Sequence, residues 1–444
     1  MSNKTHRRFR PLALEPIEPR RLLAFVAELV ADVNQLTYSP PTNPARITDV
    51  SGTAFYVANS AASGYELWKS DGTAAGTALV KDITPGPMGS SPQQLTNVNG
   101  PLLFTVHTPE EGFELWRSDG TEAGTVLVKD INPTGNSSPA YLVNVNGTLF
   151  FTADDGVHGR ELWKSDGTAA GTTMVRELRA GGGSADPNYL IPGGNLLYFL
   201  ANDIQNRVRL WRTDGTEAGT FRVTDLRPTG NFAEVNGSLY FTVATAGEGE
   251  ELWGTTGRYR DTRMVADING GPASSHPREL TNVNGTLFFR ADDGLHGDEL
   301  WRSDGTTTTL VRDLDVGSIG YPGSFGPTNL INFNGTLFFA DHDRTAIWKS
   351  DGSELGTVPV IGAQGSALDI RTTFTEVGDS LYFGSRDQAS GTELWKSDGT
   401  KEGTALVRRR PGADSESATA SHQGEQNERA NNRNHDGGQT AKPV

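Results

Sequence analysis

Tryptophan recurs along this chain at Trp68, Trp116, Trp163, Trp211, Trp253, Trp301, Trp348 and Trp395, with intervals of 47 or 48 residues broken by a single gap of 42. Every tryptophan belongs to the series, and its neighbours repeat with it. Glu66-Leu67-Trp68-Lys69-Ser70-Asp71-Gly72-Thr73 returns nearly unchanged at Glu114, Glu161, Glu299 and Glu393, and in degenerate form at Arg209, Glu251 and Ala346. Self-similarity at a period of 20–50 residues is the mark of a solenoid, propeller or array. The 444 residues also exceed what one hydrophobic core usually organises. The chain therefore reads as eight copies of one unit of about 47 residues.

One unit shows how the copy folds. Tyr141 to Val145 is a first strand, Asn146-Gly147 a turn, and Thr148 to Thr152 a second strand. Asn-Gly between apolar runs favours a tight hairpin, because both central residues of a type I′ turn need positive φ. The same turn stands at Asn99-Gly100, Asn236-Gly237, Asn284-Gly285 and Asn334-Gly335. A loop from Asp154 to Arg160 leads to a third strand around Leu162-Trp163. Ser165-Asp166-Gly167-Thr168 then turns the chain into a fourth strand at Thr173 to Val175. Four short antiparallel strands without helical periodicity make the unit all-β.

The second strand decides how units stack. A sheet with one wet face alternates apolar and polar side chains. Leu149-Phe150-Phe151, Leu287-Phe288-Phe289, Leu337-Phe338-Phe339 and Leu381-Tyr382-Phe383 are apolar on both faces and need cover on both sides. Adjacent blades of an eight-bladed β-propeller provide it. A linear stack would need polar capping repeats, and none is visible. Leu29 to Asn34 resembles Leu127 to Asn132, so a spare fourth strand before the first unit can complete the last blade, in competition with Ala405 to Arg408. Residues 29–410 are expected to form the propeller. Residues 411–444, polar and unpatterned, read as a disordered tail, either native or the product of a shifted reading frame.

Composition removes several functions. A formal net charge of −15 repels a phosphate backbone, which argues against nucleic-acid binding. With no cysteine there is no disulfide, thiolate metal site or cysteine nucleophile. No apolar run reaches the ~18–20 residues of a membrane-spanning helix. Residues 1–28, basic at Arg7, Arg8, Arg10, Arg20 and Arg21 and then briefly apolar, look like a targeting or sorting segment.

Two resemblances follow from these residues. Five copies keep Glu-Leu-Trp, two residues, then Asp-Gly-Thr; over about residues 30–408 the chain resembles the ELWxxDGT repeat of mostly secreted bacterial proteins, some labelled hyalin. Leu14 to Leu23 resembles the LEPR-XLL motif at the N-termini of certain bacterial surface proteins, with one extra Arg before Leu22-Leu23. Both resemblances imply a bacterial protein that is secreted or at the cell surface. Neither carries a catalytic residue.

Four groups of residues are candidates for chemistry. The eight tryptophans can stack sugars or bases, but equivalent residues in every third strand are expected to pack between blades. The carboxylates of Asp71, Asp119, Asp166 and Asp398 (with Asp214, Asp304 and Asp351) are expected to bond their own turns, as Asp does in tight turns. Asp154-Asp155 and Asp292-Asp293, each followed by Gly and by His158 or His296, offer oxygen ligands for calcium, with ordinary polar turns as the alternative. The fourth group comes from geometry. First-second and third-fourth turns share one face of the disc, while the variable second-third loops and inter-blade connections share the other. Function tends to reside on variable loops held by a rigid scaffold. On that face fall Arg179, Arg207, Arg209 and Arg227, where Arg209 replaces the usual Glu; such a cluster suits a carboxylate or sulfate. Arg258, Arg260 and Arg263 belong to a third-fourth turn and the opposite face.

The sequence thus implies a non-catalytic propeller, monomeric, outside the cell, binding polysaccharide, envelope or a surface protein. It requires no cofactor, with calcium as the candidate metal and zinc or another transition metal as the alternative where His158 and His296 stand beside the carboxylates. The alternative is a glycan hydrolase or lyase on the same scaffold. No Ser-His-Asp set or phosphate-binding glycine loop supports that alternative, although an acidic repeat has carboxylates enough for a glycosidase pair.

Overall fold

A computed structural model describes residues 45–314, 326–361, 368–387 and 391–407. The chain is an eight-bladed β-propeller: eight four-stranded antiparallel sheets follow one another, each built from four consecutive strands. In blade three these are Ala140–Val145, Thr148–Asp154, Arg160–Ser165 and Thr173–Arg176. The Asn-Gly turns join first to second strands with both residues at positive φ, 50° at Asn146 and 86° at Gly147.

Second strands are buried on both faces, with Leu149, Phe150 and Phe151 no more than 4% exposed. Each tryptophan from blade two onward packs against the blade before it. Trp163 of blade three meets Val98, Leu103, Leu115 and Ile131 of blade two, and Trp116 meets Phe55, Leu67 and Val80 of blade one. Seven such cores join successive blades, from the pair one–two to the pair seven–eight. Among the described residues no hydrophobic cluster joins blade eight to blade one. Leu394 is 49% exposed where its counterparts Leu115 and Leu162 are fully buried, Ile47 is 68% exposed, and Trp68 belongs to no cluster.

In blade eight the described fourth strand is Ala405–Leu406, paired with Trp395 and Lys396. The segment Leu29 to Asn34, the N-terminal residues 1–28 and the tail 411–444 lie outside the described residues, as does most of the loop from Asp315 to Asn329.

First strands line the axis and are tied to one another by side chains. The Asn144 amide donates to the Asn97 carbonyl at 2.9 Å, Asn97 to Asp49 at 3.0 Å, and Asn332 to Asn282 at 3.0 Å. Most of these strands carry a bulge that breaks register with the second strand. At the bulge one non-glycine residue sits in the left-handed region: Arg46, Gln94, Tyr141, Tyr189, Glu279 and Asn329. A bulge twists and shortens the pairing where a strand must bend around a narrow axis.

Candidate functional site

The repeated Glu-Leu-Trp and Asp-Gly-Thr residues serve the scaffold. Glu114 is fully buried and accepts hydrogen bonds from the amides of Ile131 and Ser137 and from the Ser137 hydroxyl. Glu66 and Glu251 accept the same set from Thr84 and Ser90, and from Ile268 and Ser275. Each glutamate thereby fastens the connection leaving its blade. Burial pushes the carboxyls of Glu66, Glu114 and Glu251 up, against hydrogen bonds that pull them down. Glu161 is raised to about 7, also by burial. Its connection carries Ala185 in place of the serine, so it lacks the hydroxyl and relies on backbone amides, chiefly those of Leu178 and Arg179.

The third-fourth turns close on themselves. Asp166 Oδ1 accepts from the Thr168 amide and hydroxyl at 2.8 and 2.7 Å, the Thr168 hydroxyl accepts from Gly171, and Ser165 meets Thr172 at 2.7 Å. Asp71, Asp119, Asp214 and Asp398 repeat the arrangement. These threonine bonds hold all five carboxyls below their ordinary value.

The Asp-Asp-Gly loops are also self-contained. Asp154 accepts from the Gly156 amide, and Asp155 Oδ1 from the amides of Val157 and His158, while Asp155 Oδ2 lies 2.7 Å from His158 Nδ1. Asp292, Asp293 and His296 repeat this geometry. No group of three or more His, Asp or Glu able to hold a metal occurs among the described residues. Burial raises Asp155 and Asp293, but the histidine amide and ring outweigh it and leave both carboxyls lowered. The same bonds raise His158 and His296.

Blade four breaks the pattern. Arg209 stands where the clamping glutamate should be, and the connection beyond it is short, Leu226 being followed almost at once by Pro228. This is the origin of the single 42-residue tryptophan gap. Where blades one, two, three and five cover their glutamate with a loop, blade four opens a cavity of about 870 Å³ lined by Arg176, Asp203, Arg207, Arg209, Arg222 and Asp225, with Trp211 and Phe221. Asp203 is its anchor. Arg207 donates Nε and Nη2 to Asp203 Oδ2 at 3.0 and 2.9 Å, and Arg222 Nη1 lies 3.8 Å from the same oxygen and 3.0 Å from Asp225 Oδ1. Arg209, 12% exposed at its side chain, stands 3.9 Å from Asp203, and its Nε is buried without a hydrogen-bond partner. Four arginines against two aspartates leave the cavity cationic. Burial raises Asp203, but hydrogen bonds from Arg207 outweigh it and hold the carboxyl low; Asp225 is held low by the Tyr259 hydroxyl at 2.7 Å.

No protein-family model matches the chain, and no curated protein matches it. Solved structures do. The β-propeller domain of the Trilobed protease from Pyrococcus furiosus aligns at 11% identity over 72% of this chain and 97% of its own, with a TM-score of 0.38. Puromycin hydrolase aligns at 17% identity over 83% of this chain and 54% of its own, also at 0.38. A structure from a study of two prolyl endopeptidases aligns at 11% identity over 82% and 49%, at 0.42. The chain thus spans about half the length of the latter two.

Of the arginines singled out in the sequence, Arg207 and Arg209 line the cavity together. Arg179 does not: its Nη1 donates to Ser184 and Asn206. Arg227 is exposed and outside it. Sequence reading missed Arg176, at a fourth-strand position where Lys81 and Lys129 stand in other blades, Arg222, which replaces the Leu or Met that faces the tryptophan elsewhere, and the acidic anchor Asp203. Arg258 lies just before the 3-10 turn Tyr259–Asp261 between third and fourth strands of blade five.

Proposed function

We propose that this chain is a non-catalytic binding propeller of the bacterial cell exterior, whose blade-four cavity takes an anionic group of a polysaccharide, envelope or protein ligand. One observation carries the reading: the buried Nε of Arg209, 3.9 Å from Asp203 Oδ2 and without a hydrogen bond, beside Arg207 and Arg222. A buried donor left without an acceptor costs free energy comparable to a lost hydrogen bond. A carboxylate or sulfate would satisfy it and match the planar guanidinium forks. Both aspartates are held low, so neither is a general acid, and no hydroxyl or imidazole lines the cavity. The ELWxxDGT and LEPR-XLL resemblances support the exterior location.

Titration calorimetry with polygalacturonate, dextran sulfate and neutral dextran tests the reading. The expected result is binding of an anionic polymer, weakened at least tenfold in Arg207→Ala/Arg209→Ala. Equal binding by wild type and double variant, or none by either polyanion, would overturn it. Binding that vanishes on chelation and survives the arginine changes would move the site to the calcium-type loops at Asp154, Asp155, Asp292 and Asp293. Release of new reducing ends from either sugar polymer would establish the enzyme instead.

A further inference from the structure

The bulge residues of the first strands occupy one structural position, and in four blades they do one job. Arg46 Nη1 donates to the Pro92 carbonyl at 2.8 Å, and Gln94 bridges Pro139 and the Leu142 amide at 3.3 and 3.2 Å. Glu279 accepts from the Leu330 amide at 2.9 Å, and Asn329 donates to Thr372 at 3.4 Å. Each polar side chain reaches across to the next blade. Blades three and four place Tyr141 and Tyr189 there instead. Neither makes an inter-blade hydrogen bond among the described residues, and they are 53% and 58% exposed. Both stand at positive φ, 57° and 49°, where a bulky side chain is rare. Tyr189 makes one ring contact with the next blade, at Phe232, yet both rings stay more than half exposed at a position where other blades place a polar tie.

The rings border a cavity of about 810 Å³ on the axial side of blades two to four. Gln94, Thr96 and Asn188 supply its polar groups, and no charged residue lines it. Tyr189 also lies 5.9 Å, ring to ring, from Phe232 of blade five. Concave sites with aromatic walls and a few convergent polar groups are where small ligands bind. Aromatic faces here combine with side-chain amides that both donate and accept. That pairing suits a ring with an apolar C–H face and a rim of hydroxyls. We infer that this axial cavity is a second site, which takes an uncharged sugar ring stacked on Tyr141 or Tyr189.

The inference rests on the reading of the chain as a binding propeller, but it uses residues apart from the arginine cavity, so the two can fail separately. The test is titration calorimetry of the full chain with cellohexaose and xylohexaose, and with hexaalanine as the peptide control. The expected result is binding of a neutral hexasaccharide, reduced at least tenfold in Tyr141→Ala/Tyr189→Ala. Tyr141→Phe/Tyr189→Phe should keep affinity within about threefold, because stacking needs the ring and not the hydroxyl. Arg207→Ala/Arg209→Ala should leave it unchanged. No binding of either hexasaccharide, equal affinity in the alanine variant, or binding of hexaalanine in place of sugar would each overturn the assignment.

Discussion

Glu161 differs from Glu66, Glu114 and Glu251 chiefly in lacking a serine hydroxyl, because Ala185 stands where Ser90, Ser137 and Ser275 stand in the other blades. A hydrogen bond to a charged group contributes about 1.5–3 kcal/mol, and one pKa unit corresponds to about 1.4 kcal/mol. Ala185→Ser should therefore lower the Glu161 carboxyl from about 7 by on the order of one unit. Carbon-13 titration of the side-chain carboxyl reads this directly, and an unchanged midpoint would contradict the clamp. The role of these glutamates was available in the sequence: one acidic residue precedes Leu-Trp in most copies, where an exposed position would drift. The arginine cluster was half legible for the opposite reason. Arg209 departs from the repeat and is conspicuous, whereas Arg176 sits at the position of Lys81 and Lys129 and carries no signal; Arg222 stands where Leu79, Leu127 and Met174 face their tryptophans, a departure the repeat alignment contains.

Turns and strands were the most legible elements, since Asn-Gly and Ser-Asp-Gly-Thr need particular backbone angles whatever surrounds them. The glycine three residues beyond five of the Asp-Gly-Thr turns (Gly76, Gly124, Gly171, Gly219 and Gly403) is a stricter requirement that composition hides. A Cβ on Gly171 would lie 2.1 Å from Asp166 Oδ1, against the carboxylate that the turn is built around. Gly171→Ala should thus destabilise the protein by about 1–3 kcal/mol, the usual range for overpacking. Gly247→Ala, with nothing within 4 Å of the added atom, is the matched control and should leave the thermal midpoint nearly unchanged. Equal midpoints for the two variants would show that the turn adjusts freely. The bulge in the first strand was not legible. Its residues range from Arg46 to Tyr189 in chemistry, and only the positive φ unites them.

At the scale of the whole ring, the number of blades follows from the tryptophans, but the blades are not equivalent. Among the described residues, Trp163 sits in a shared core, whereas Trp68 belongs to none and Glu393 keeps a buried Oε1 without a hydrogen-bond partner. Trp163→Ala should cost ~3–5 kcal/mol as a truncated core aromatic. Trp68→Ala should cost clearly less in the same denaturant titration, and equal losses would mean that blades eight and one share a core after all. Acid and base act on the ring with opposite signs. The Asp-Gly-Thr carboxyls are lowered on folding, so their contribution is present above the unfolded value of 3.8 and is lost as pH falls through the folded values. Glu66, Glu114, Glu161 and Glu251 are raised, so their ionisation opposes folding increasingly as pH climbs from 4.5, and for Glu161 the cost is complete above about 7. His158 and His296 are raised too; their contribution is whole below 6.5 and fades as pH rises through the folded values. All three trends place the stability maximum in mildly acidic solution, at about pH 4.5–6. Differential scanning calorimetry from pH 3 to 9 should find the midpoint highest there, and Glu161→Gln should flatten the decline between about pH 5 and 8. A midpoint still rising above pH 7 would mean that the glutamates are ionised in the folded ring without penalty.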